Sequence, residues 1–80
     1  SAKELAQAAQ VKIYLKLSDE MNAEVLGVLE NYPGNCPVYL YYPEKKKMIL
    51  AAQKYWVSDD NELYMNVAQK LGAENISIKE

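Results

Sequence analysis

The chain has 80 residues, half of them apolar, and its nine lysines and eleven acidic residues leave a net charge of −2. That length supports one hydrophobic core and leaves little room for a second. Arginine, histidine, phenylalanine and threonine are all missing, which removes the usual general base, the commonest metal ligand and the bidentate fork that reads guanine; the composition argues against a histidine-based enzyme and a dedicated reader of duplex DNA.

Cys36 is the single cysteine. An internal disulfide is therefore out of reach, and a reducing, cytoplasmic setting fits. The sequence has no signal peptide and no long apolar run, so no contact with a membrane is expected. It begins Ser1-Ala2 rather than with methionine, which suggests a piece cut from a larger protein. Residues 1–10 (SAKELAQAAQ) favour a helix but lack a strong apolar stripe, and read as a connector or a remnant of the excision. Residues 11–80 are expected to form a single α/β domain, monomeric as a fragment.

The first regular element is VKIYLKL, residues 11–17. Val11, Ile13, Leu15 and Leu17 alternate with Lys12, Tyr14 and Lys16, the period of a half-buried strand. Ser18 or Asp19 can cap a helix whose apolar residues Met21, Val25, Leu26, Val28, Leu29 and Tyr32 recur at three- and four-residue spacing. Pro33-Gly34 ends it. Residues 38–42 (VYLYY) form a second strand with Val38 and Leu40 on one face and Tyr39 and Tyr41 on the other. A charged turn, Pro43 to Lys47, leads into a third strand from Met48 to Ala51, making a hairpin. Asp59 and Glu62 fit a variant capping box for a second helix with the stripe Leu63, Tyr64, Val67, Ala68 and Leu71, closed by Gly72. Asn75 to Lys79 is a last strand with Ile76 and Ile78 inward.

The string is β-α-β-β-α-β, which predicts a two-layer α/β (α+β) sandwich: a four-stranded mixed sheet with two helices on one face. Its strand order stays open between a ferredoxin-like and a partial Rossmann-like arrangement.

Nothing in this string carries catalytic chemistry. Cys36 has no histidine to activate it and follows the negative end of a helix, so it reads as structural. Asp59, Asp60 and Glu62 sit at a helix start, where acids belong for electrostatic reasons, and lack the ligand spacing of a calcium loop. The Asn75-Ile76-Ser77 sequon is short enough to be chance. No catalytic residue, metal ligand or cofactor is expected.

The informative feature is the sheet face turned away from the helices. It is expected to carry Lys12, Tyr14, Lys16, Tyr39, Tyr41, Ser77 and Lys79. Tyrosines interleaved with lysines suit a protein partner, a single-stranded nucleic-acid platform, and plain cross-strand pairing alike. Tyr55 and Trp56 form a second aromatic patch. Tyr14, Tyr39, Tyr41, Tyr55 and Trp56 are the candidate partner anchors. Lys12, Lys16 and the turn residues Lys45, Lys46 and Lys47 are the candidate nucleic-acid contacts, although a lysine turn also keeps edge strands from aggregating.

Four stretches in order carry a family resemblance: VKIYLKL; VLENYPGNCPVYLYY; YWV; and VAQKLGAENISIKE. Tyr32-Pro33-Gly34, Pro37-Val38-Tyr39-Leu40 and Tyr55-Trp56-Val57 are its most specific parts. Together they resemble the extreme C-terminal domain of the bacterial DNA polymerase III alpha subunit. The resemblance implies a tail with partial Rossmann-like character, following an oligonucleotide-binding barrel and far downstream of the palm aspartates that perform nucleotidyl transfer. It implies a part of DNA replication that does no chemistry itself, with the clamp-loader tau subunit of the replisome as partner. The alternative is a weak single-stranded DNA contact beside the barrel.

Overall fold

The computed structural model describes residues 11–80; the expected connector, residues 1–10, lies outside them. The elements run β1 (Lys12–Lys16), α1 (Asp19–Leu29), β2 (Pro33–Cys36), β3 (Val38–Tyr42), β4 (Lys47–Leu50), a short 3-10 turn (Gln53–Tyr55), α2 (Asn61–Leu71), a second 3-10 turn (Ala73–Asn75) and β5 (Ile76–Lys79). Four of the strands make one mixed sheet in the order β4-β3-β1-β5. β1 and β3 are parallel, joined through α1, whereas β4 and β5 flank them antiparallel.

The predicted fold class holds, and the strand order now separates its two versions. A ferredoxin-like sheet would place the hairpin's second strand next to β1. Here Val38–Tyr42 takes that inner place, as in a Rossmann-like β-α-β unit. Burial explains the choice: β3 alternates buried and half-buried residues, while all four residues of β4 are exposed. The strand with more apolar surface to hide belongs at the centre, and the lysine-led one at the edge.

The core follows the predicted alternation. Val11, Ile13, Leu15 and Leu17 are all buried, as are Val38 and Leu40 on β3, and α1 and α2 close over them with Val25, Leu29, Leu63 and Val67. Tyr42 continues the inward set of β3; its hydroxyl donates to Asn22 Oδ1 on α1. Each such burial contributes roughly 1.5–3 kcal/mol.

Four local expectations are corrected. α1 ends at Leu29, and Tyr32 lies beyond it, its hydroxyl accepting from Asn66 Nδ2 at 2.6 Å. The cap of α2 is Asp60, whose carboxylate accepts from the Glu62 amide at 2.9 Å, because Asp59 instead accepts from the Tyr64 hydroxyl. The third strand covers Lys47–Leu50; the Ala51 amide still bonds the Val38 carbonyl at 2.8 Å. Ile78 pairs with Ile13 on the helix-covered side, yet it is 43% exposed because β5 is an edge strand.

Pro33-Gly34, expected only to end the first helix, opens the strand β2. Pro33 and Cys36 bridge Val57, which is fully buried. The Gly34 amide donates to the Trp56 carbonyl at 3.1 Å and the Ser58 amide to the Tyr32 carbonyl at 2.9 Å. A methyl group at Gly34 would run into the Ser58 amide and stand 2.5 Å from Ser58 Cα. Only glycine allows this backbone approach, which gives the Tyr32-Pro33-Gly34 and Tyr55-Trp56-Val57 stretches a shared purpose: they clasp one another.

Candidate functional site

The strand registers lay out the open face in rows. One row reads Leu50, Tyr39, Tyr14, Ser77 across β4, β3, β1 and β5; the next reads Met48, Tyr41, Lys16; and Lys12 pairs with Lys79 on the two strands beyond. Period-two side-chain alternation puts all of these on the side opposite Ile13, Leu15, Val38 and Leu40. The structure therefore brings Tyr14, Tyr39 and Tyr41 together with Lys12 and Lys16, as expected from the sequence.

The rings of Tyr14 and Tyr39 are stacked, with centroids 4.8 Å apart and planes 11° from parallel. The Lys79 ammonium sits 5.4 Å from the Tyr14 centroid, and it belongs to β5, the strand on the far side of β1 from β3. Tyr14 is thus sandwiched between a ring and a cation, each an attractive partner for an aromatic face. Beside the stack lies a shallow groove of about 270 Å³, whose walls include Tyr14, Lys16, Tyr41, Met48, Asn75 and Ser77.

Met48 and Leu50, outside the set expected from the sequence, also belong to this face. They are 53% and 49% exposed and flank Tyr41 and Tyr39. Met48, Ile49 and Leu50 are three apolar residues in a row, so the sequence does not say which of them share a face with Tyr39 and Tyr41; the hairpin register decides it.

Tyr55 and Trp56 belong to a different place. They follow β4 in the clasp, half-buried against the core, with the Trp56 indole donating to the Ala51 carbonyl at 3.0 Å and Lys54 lying 4.9 Å over the Tyr55 ring. Lys45, Lys46 and Lys47 are exposed at the β3–β4 turn. Lys45 pairs with Asp19 at 3.1 Å and lies 5.6 Å over Tyr42.

Burial, the largest influence, pushes the Cys36 thiol up from its ordinary value, and Asp59 adds to the rise. An upward shift leaves less thiolate, the opposite of an activated nucleophile. Burial and the hydrogen bond to Asp59 raise Tyr64. Among the described residues, no three histidine, cysteine or acidic side chains are grouped to hold a metal ion, and no helix is long and apolar enough to cross a membrane.

No family model matches the chain, and no solved structure matches it. Among curated proteins, it is 26% identical over 73 residues to the DNA polymerase III subunit alpha of Bacillus subtilis (strain 168), covering 85% of this chain and 6% of that protein. The chain spans only a small fraction of that relative's length.

Proposed function

We propose that this chain is a non-catalytic docking module of a bacterial replicative DNA polymerase of the polymerase III alpha kind, and that it tethers the polymerase to its replisome through the tau subunit of the clamp loader, in the cytoplasm. The similarity to the Bacillus subtilis alpha subunit supports a replication setting. The observation that carries the docking mode is the open face, where Tyr39 and Tyr41 sit among exposed Met48 and Leu50. Aromatic residues and methionine concentrate at the centres of protein interfaces, and a ring of cations suits their polar rim. Tethering raises local concentration at the fork with no chemistry by this segment.

The occupied ring faces weigh against the alternative of single-stranded DNA. A base platform needs aromatic faces open for stacking, whereas Tyr14 and Tyr39 spend a face each on their mutual stack and the Lys79 ammonium also lies over Tyr14.

Amide NMR spectra recorded during two titrations test the proposal. The tau C-terminal region is expected to shift Tyr39, Tyr41, Met48 and Leu50. A short single strand of DNA is expected to leave them in place. DNA-dependent shifts at Lys12, Tyr14, Tyr39 and Tyr41 that weaken with salt would favour the nucleic-acid reading instead.

A further inference from the structure

The β4 edge is half of a β-ladder. Among the described residues, β4 has β3 on one side only. The Ala51 amide bonds the Val38 carbonyl, so in this antiparallel pair Lys47 and Ile49 also turn their backbone groups toward β3, and Met48 and Leu50 turn theirs outward. The side chains beside these outward groups are exposed and apolar: Met48, Ile49 and Leu50 are 53%, 40% and 49% accessible. An apolar edge with unused donors and acceptors is a template for another strand.

Charge identifies the occupant. The ten residues from Lys45 to Lys54 hold four lysines and no acid, while the other seventy hold five lysines against eleven acids. Lys45 is engaged by Asp19, but among the described residues Lys46 and Lys47 have no carboxylate at ion-pair distance. We infer that the β4 edge takes an extended, acidic and apolar segment of a protein partner as an added strand. This rests on the docking reading above and specifies the partner's chemistry and mode of binding. The added backbone bonds the N–H and C=O groups of Met48 and Leu50. Its apolar side chains extend the row that begins at Leu50 and Tyr39, and its acids meet Lys46 and Lys47. A second copy of this chain is a poorer occupant, because antiparallel pairing of two β4 edges sets one basic segment along another.

The test is amide hydrogen exchange on the 80-residue chain, free and with a synthetic heptapeptide alternating glutamate and valine. Controls are the same peptide with its amides N-methylated and a peptide alternating lysine and valine. The glutamate peptide is expected to slow exchange at Met48 and Leu50 about tenfold or more, and both controls to bind about tenfold more weakly. Met48→Pro removes an outward donor without removing a bond to β3, and is expected to weaken the glutamate peptide's binding while leaving the Ala51 amide protected. Equal binding of the N-methylated peptide, with shifts confined to Tyr14, Tyr41 and Ser77, would overturn strand addition yet leave docking on the open face intact. Slow exchange at Met48 and Leu50 in the free chain, or slowing that depends on chain concentration, would overturn it by showing the edge already covered. Failure of every peptide would overturn it too, and the tau titration then decides the docking reading separately.

Discussion

Substituting Gly34→Ala tests whether the clasp between β2 and the Trp56 segment is built as described. The new methyl meets backbone rather than a yielding side chain: the Ser58 amide, Ser58 Cα at 2.5 Å and the Val57 carbonyl carbon at 2.5 Å. Relief requires the two segments to separate, which strains or breaks the Gly34–Trp56 and Ser58–Tyr32 hydrogen bonds. Two such bonds contribute about 1–3 kcal/mol together, and forcing an extra carbon into a packed site costs about 1–3 kcal/mol more. The expected destabilisation is thus about 2–6 kcal/mol, a large part of the ~4–12 kcal/mol available to a domain this size. Thermal unfolding followed by circular dichroism should show a fall in Tm of at least about 10 °C. Tryptophan fluorescence should report an altered Trp56 environment in any variant that remains folded. A Gly34→Ala protein within about 0.5 kcal/mol of the parent, the range of an ordinary surface change, would refute the close approach.

Three further predictions concern single contacts. A double-mutant cycle on Tyr14→Ala and Tyr39→Ala, measured by urea unfolding, should return a coupling of about 0.5–1.5 kcal/mol from the ring stack. Asp60→Ala should cost about 1 kcal/mol as the loss of a helix cap, and its Glu62 amide resonance should move; if Asp59→Ala moves that resonance instead, the capping assignment is wrong. The tyrosine shifts set the alkaline limit. Tyr64 and Tyr42 are raised above their ordinary value of 10.0 by burial first, so the unfolded chain releases these protons before the folded one. Their contribution to stability is complete below pH 10 and is lost as pH rises beyond it. Unfolding midpoints measured from pH 8 to 11 should fall with pH, and more gently in Tyr64→Phe; an equal slope in both would contradict the Tyr64 assignment.

Much of this fold was legible because its strands obey a strict period. Val11 through Leu17 and Val38 through Leu40 each separate an apolar set from a polar one, and the structure buries the apolar set. Pro33-Gly34 misled because its local chemistry is that of a turn, while its actual role depends on Val57 and Ser58, more than twenty residues away. The cap moved from Asp59 to Asp60 for a similar reason: Tyr64 competes for the first carboxylate. Ile78 lies on the expected face but at an edge, and alternation predicts a side, not how far the helices reach across it.

The candidate face was legible in its tyrosines and lysines and less so in its arrangement. Period two assigned Tyr14, Tyr39 and Tyr41 to one side, but the Tyr14–Tyr39 stack requires the parallel pairing of β1 with β3. Placing Met48 and Leu50 beside the tyrosines required the hairpin register. Tyr55 and Trp56 lie apart from that face, beside the clasp that joins the Trp56 carbonyl to the Gly34 amide, a placement that depends on contacts distant in sequence.

The central claim is that the open face binds protein through its apolar and aromatic centre. Calorimetric titration of the tau C-terminal region into the chain, with the parent compared against a Tyr39→Ala, Leu50→Ala double variant checked to be folded, tests it most directly. Loss of two central contacts at about 1–2 kcal/mol each should weaken binding about 30-fold or more. Unchanged affinity in the double variant, or no binding by the parent, would contradict it.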